Sequence, residues 1–132
     1  MGNPFVHLDL ATDDIAAAKA FYGAVFDWKF SDMPDMNWSG IDVGEGTGGG
    51  IGGKNMPGQP TAWTAYVQVT DVNEAIAKAE KAGAQIIVPY MKVGEMGCLG
   101  IFVDPQGATL GVWQSLQPPP VATKTGKKKA AK

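Results

Sequence analysis

The chain has 132 residues, 45% of them apolar and 18% charged, which fits a single globular domain burying about two thirds of its unfolded surface. Every basic residue is a lysine, and five lie at Lys124, Lys127, Lys128, Lys129 and Lys132, so residues 1–117 set six lysines against thirteen acidic groups, a net charge near −7. Such a body excludes nucleic acid as a partner, since phosphate contacts need clustered positive charge, and no apolar run approaches the about 20 residues that a membrane helix requires.

The opening, Met1-Gly-Asn-Pro-Phe-Val6, has neither a basic nor an apolar leader region, and the single cysteine, Cys98, excludes an internal disulfide. Both features predict a cytoplasmic protein. The first strand is expected over residues 4–11. Its alternation puts Val6, Leu8 and Leu10 on one face and Phe5, His7 and Asp9 on the other. Asp13 or Asp14 then caps a helix with Ile15, Ala18, Tyr22 and Val25 along one stripe. That stripe is expected to cover Val6, Leu8 and Leu10, leaving His7 and Asp9 on the opposite side of the sheet. Further strands are expected at residues 27–31, at 38–43 and around Ile51.

Asn55-Met-Pro-Gly-Gln-Pro60 breaks regular structure and reads as a link. The same order of elements then begins again. Ala65, Val67 and Val69 repeat the buried face, and Thr64, Tyr66 and Gln68 the exposed one. Asp71 and Glu74 form a capping-box-like start, with Gly83 as the helix stop. The two capping aspartates, Asp14 and Asp71, stand 57 residues apart, the spacing of an internal repeat. Residues 86–90 are rich in β-branched side chains but are broken by Pro89. Asp104-Pro-Gln-Gly107 fits a type I hairpin turn between residues 100–103 and 108–114. The Pro/Lys-rich segment 118–132 has no apolar periodicity and is expected to be a disordered tail.

Chemistry-bearing residues are few. His7 is the only histidine and the best candidate for a general acid or base, with Asp9 on the same strand face to polarise it. Cys98 has no basic neighbour in sequence to lower its pKa, which argues against a nucleophilic role. Gly44-Glu-Gly-Thr-Gly-Gly49 spells a dinucleotide fingerprint, but the glycines and proline that follow cannot form the helix it requires. Tight turns and close backbone approach at a sheet edge explain these glycines better, and such glycines also leave room for a ligand. Trp38, Trp63, Tyr66, Tyr90 and Trp113 supply aromatic surface for a flat or apolar organic ligand, although Trp28 and Trp63 fit core packing equally well. Met33, Met36, Met56, Met91 and Met96 are placed mostly in loops.

Five pieces in this order resemble the vicinal oxygen chelate superfamily, the group containing glyoxalases, bleomycin-resistance proteins and extradiol dioxygenases. They are His7 seven residues before Asp14, Phe21-Tyr22-Gly23-Ala-Val-Phe26-Asp-Trp28, Gly48-Gly-Gly-Ile-Gly-Gly53, Trp63…Tyr66…Asp71-Val72, and Phe102-Val-Asp-Pro-Gln-Gly107…Leu110-Gly-Val-Trp113. The resemblance implies an α+β fold of two βαβββ modules, about residues 4–54 and 62–116. Their curved mixed sheet would form a half-barrel around a cleft, with helices on the outer face, usually in a homodimer.

The resemblance also implies metal-ligand positions at His7, near Gly52, at Thr64 and at Gly111, of which only His7 carries a ligating side chain. Asp9, Asp42 or Gln68 would have to substitute, and that many replacements is disfavoured, so no cofactor is expected. The resulting expectation is a small-molecule binder of the glyoxalase/bleomycin-resistance type with a degenerate metal site. Its ligand would meet His7, Asp9, Trp38, Gly52, Thr64, Tyr66, Gln68, Gly111 and Trp113. The alternative is a glyoxalase-related lyase or isomerase in which His7 moves a proton, with or without a divalent metal.

Overall fold

A computed structural model describes residues 2–54 and 57–116; the expected tail and Met56 lie outside them. The elements follow the order β1 (Phe5–Ala11), α1 (Ile15–Val25), β2 (Lys29–Met33), β3 (Trp38–Asp42), β4 (Gly49–Gly52), β5 (Ala62–Gln68), α2 (Val72–Lys81), β6 (Gln85–Val93), β7 (Gly97–Val103) and β8 (Thr109–Ser115). This is the βαβββ pattern written twice, in an α+β fold. Two compact units divide it: residues 5–66 form one, and the described residues on either side form the other.

In the 5–66 unit, the strands run in the order β2-β3-β4-β1, followed by the first residues of β5. β1 and β4 pair in parallel, while β2–β3 and β3–β4 are antiparallel. Asp14 is the residue that caps α1, accepting the Ala17 N–H at 3.0 Å. The helix packs Ile15, Ala18 and Tyr22 onto Leu10, Ile41 and Ile51. Burying each of those three aliphatic side chains is worth roughly 1.5–3 kcal/mol, which commits this face of the sheet to the helix. The expected stripe holds except at its ends: Leu8 is 39% exposed and Val25 54%, because the packing concentrates around Leu10. Residues 43–48 form the turn into β4 rather than leading into a helix, so the glycine-rich run has no dinucleotide geometry.

In the other unit, β7 pairs with both β6 and β8, giving the order β8-β7-β6. Asp71 caps α2 by accepting the Glu74 N–H at 3.2 Å. Val72 and Ile76 then pack with Cys98 and Val112. Gly83, at φ +109°, follows the helix C-terminus as expected. The Asp104–Gly107 turn forms as read: the Gly107 N–H donates to the Asp104 carbonyl at 3.0 Å, and the Asp104 carboxylate accepts from Gln106 and Ala108. These donors hold its carboxyl below the usual carboxylate range. Pro89 differs from expectation, since β6 runs through it from Gln85 to Val93. Register shifts flank the proline, and β6 lies at a sheet edge, where a missing N–H costs no ladder bond.

Candidate active site on the first unit

β1 sets His7 and Asp9 two residues apart, and therefore on the sheet face opposite α1. In the register, Asp9 lies beside Gly50, Gly50 beside Gly40, and Trp38 opposite Gly52. From the start of β3 the Trp38 indole crosses β4 diagonally. It passes over Gly50 and Gly52, and its Nε1–H donates to Asp9 Oδ1 at 2.9 Å. A methyl group on Gly50 would overlap the indole, and one on Gly52 would meet Trp38 Cδ1 at 2.9 Å. The space over these glycines is thus filled by tryptophan and is not open to a ligand.

The same Asp9 oxygen lies 3.0 Å from His7 Nε2. The imidazole centroid is 6.1 Å from that of Trp38 with the planes 23° apart, and Tyr66 meets it edge-on at 5.8 Å. Tyr66 is buried; burial, with the Asp9 charge adding to it, pushes its phenol well above the ordinary range. The phenol therefore stays protonated near neutral pH, a neutral donor beside the ring. His7 and Asp9 keep 32% and 26% of their side-chain surface exposed. The group is a carboxylate-linked imidazole with aromatic neighbours and an open side. It can take or give a proton and can offer ring surface to a conjugated molecule.

Among the expected site residues, His7, Asp9, Trp38 and Tyr66 come together, with Gly52 beneath the indole. Thr64 is half-buried and shares Tyr66's strand face. Gln68, Gly111 and Trp113 belong to the other unit. There Gln68 is exposed and its main chain bonds to Asn3 and Pro4, Gly111 is buried, and the Trp113 ring lies over Gly97, where a methyl group would overlap it. Asp42 bonds the Gly44 N–H and so closes a turn. Trp63 packs in a ring cluster with Tyr22 and Trp28, its indole N–H donating to the Tyr22 hydroxyl at 3.2 Å. Met33 and Met91 are strand residues instead of loop residues. Sequence reasoning missed Gly50 and the Trp38–Asp9 bond. The only hint was the alternation of Gly50 and Gly52 around Ile51.

No group of three or more His, Cys, Asp or Glu side chains able to hold a metal occurs among the described residues. His7 and Asp9 supply two donors, short of the three that a catalytic zinc site normally draws from protein. One of them already accepts from Trp38. An open depression of about 330 Å³ lies at the other end of β1, against Thr12, Asp14, Asn37, Gly53 and Lys54. It does not include His7, and Lys54 there is paired with Asp13 at 2.9 Å.

The family profile described as bleomycin resistance protein-like N-terminal matches residues 4–44. "Putative glyoxylase CFP32" of Mycobacterium tuberculosis is 32% identical over 115 residues, 82% of this chain and 44% of that protein. "Anthracycline biosynthesis protein DnrV" of Streptomyces peucetius is 27% identical over 123 residues, 80% of this chain and 45% of that protein. The chain therefore spans less than half the length of these relatives. A glyoxalase/bleomycin resistance protein/dioxygenase superfamily member from Vibrio splendidus has the same fold, with a TM-score of 0.61 at 15% identity, covering 86% of this chain and all of that one. The fold is that of the paired βαβββ proteins. The chain is thus similar at residues 4–44 to the bleomycin resistance protein-like N-terminal family, over most of its length to a part of the glyoxylase-named relative, and in fold to the superfamily member from Vibrio splendidus.

Proposed function

We propose that the protein binds a small, flat organic molecule against His7, Asp9, Trp38 and Tyr66, and that the metal site of its superfamily is degenerate here. One observation carries this reading. The Trp38 indole covers Gly50 and Gly52, close to an implied ligand position, and ties up Asp9, the donor best placed to help His7. Aromatic surface thus stands where metal donors would be needed. The relative from Streptomyces peucetius is an anthracycline biosynthesis protein, and a polycyclic aromatic molecule of that kind suits such surface. The protein acts as a cytoplasmic homodimer in this reading, with Cys98 a buried, reduced thiol.

A second reading is favoured by the His7–Asp9 bond: proton transfer to or from the bound molecule, in a lyase or isomerase. The test is titration with alizarin, a dihydroxyanthraquinone, followed by tryptophan fluorescence and calorimetry. Saturable binding that weakens at least tenfold in His7→Ala supports the site. Absence of binding, or equal binding by His7→Ala, would sink it. Conversion of alizarin or a related hydroxyquinone by wild type but not by His7→Ala would favour the second reading.

A further inference from the structure

We infer that Asp9 is a positioning residue that locks His7 as its Nε2–H tautomer, with Trp38 holding Asp9, so that the site presents Nδ1 as a bare lone pair. Three observations converge on it. Asp9 Oδ1 lies 3.0 Å from His7 Nε2, and an ionised carboxylate is acceptor-only, so the hydrogen between them belongs to Nε2. The Trp38 indole can only donate, and it reaches that same oxygen at 2.9 Å. Its ring is wedged over Gly50 and Gly52, so a carboxylate that swung away would leave the fixed indole N–H without its acceptor. Neutral histidine with its hydrogen on Nε2 has its acceptor on Nδ1. Among the described residues Nδ1 has no hydrogen-bond partner.

The consequence is a chemical preference. A ligand meeting Nδ1 is favoured when it brings an O–H or N–H, and disfavoured when it offers only a carbonyl or ether oxygen there. In a reactive setting, His7 starts as a base: Nδ1 takes the ligand's proton, the electron pair stays on the ligand, and Asp9 steadies the resulting imidazolium. The ligand preference rests on the binding reading above, whereas the tautomer is a property of the free protein. The two are therefore tested separately.

Because His7 is the only histidine, its two imidazole nitrogens can be read without assignment ambiguity in ¹⁵N-labelled, ligand-free protein. The expected wild-type result at neutral pH is one widely split pair of ¹⁵N resonances, with the protonated nitrogen identified as Nε2 by its ring-proton couplings. Asp9→Leu should collapse the splitting toward the averaged values of an unrestrained imidazole. Asp9→Asn should keep it, since the amide oxygen can accept from both Trp38 and His7. A wild-type Nδ1–H tautomer, averaged wild-type shifts, or an unaltered splitting in Asp9→Leu would overturn the proposal. If Asp9→Leu loses its dispersed amide spectrum, the wild-type assignment and Trp38→Phe decide, the latter expected to narrow the splitting. In the ligand arm, alizarin dimethyl ether should bind about threefold to tenfold more weakly than alizarin, the value of one hydrogen bond. Equal binding of the two would overturn the donor preference while leaving the tautomer to the spectrum.

Discussion

At position 50 a single methyl group would collide with the Trp38 indole. The glycine is there because a ring lies flat across β4, and the ring lies there because its N–H finds Asp9. Gly50→Ala is therefore expected to destabilise the protein by about 1–3 kcal/mol through overpacking, measured by urea unfolding. It should also shift tryptophan emission as the indole is displaced. A stability equal to wild type would mean that the ring is not seated there. His7 and Asp9 were legible as one strand face from alternation alone. Trp38 was legible only as an aromatic residue of the right type, because its partner lies 29 positions away and no local rule connects them.

Among the elements, the helices were the easiest to read. Asp14 and Asp71 each stand before an amphipathic run, and each accepts the expected backbone N–H. Asp14→Ala should cost about 1 kcal/mol, measured by chemical denaturation, because the Ala17 N–H in the first turn of α1 would lose its acceptor. Strand limits were harder. Pro89 looked like a break, yet β6 passes through it on a sheet edge with its register shifted on either side. Proline removes one donor, and only the neighbouring strands determine whether that donor had work to do. The glycine-rich run was rightly denied a helix. Its glycines serve as tight-turn residues at Gly44 and Gly46, which have positive φ, and as a close backbone approach at Gly49 against the Leu8 carbonyl, whereas the room over Gly50 and Gly52 is taken by the Trp38 indole from another strand.

For the whole molecule, the likenesses establish the fold, and the donor count bears on the chemistry proposed for it. Protein incubated with nickel or zinc and then desalted is expected to retain well under one equivalent of metal by elemental analysis. Stoichiometric retention that disappears in His7→Ala would show that two donors and a recruited third suffice, and would restore metal-assisted chemistry. From the sequence alone came the doubled βαβββ order, the two capped helices, the type I hairpin and the choice of His7, since each depends on patterns spanning a few residues or on a count. Only the tertiary structure decided that the Trp38 indole bonds Asp9, why Gly50 and Gly52 are glycines, and which nitrogen of the imidazole faces Asp9. Those depend on register between strands, where a shift of one residue turns every side chain to the opposite face.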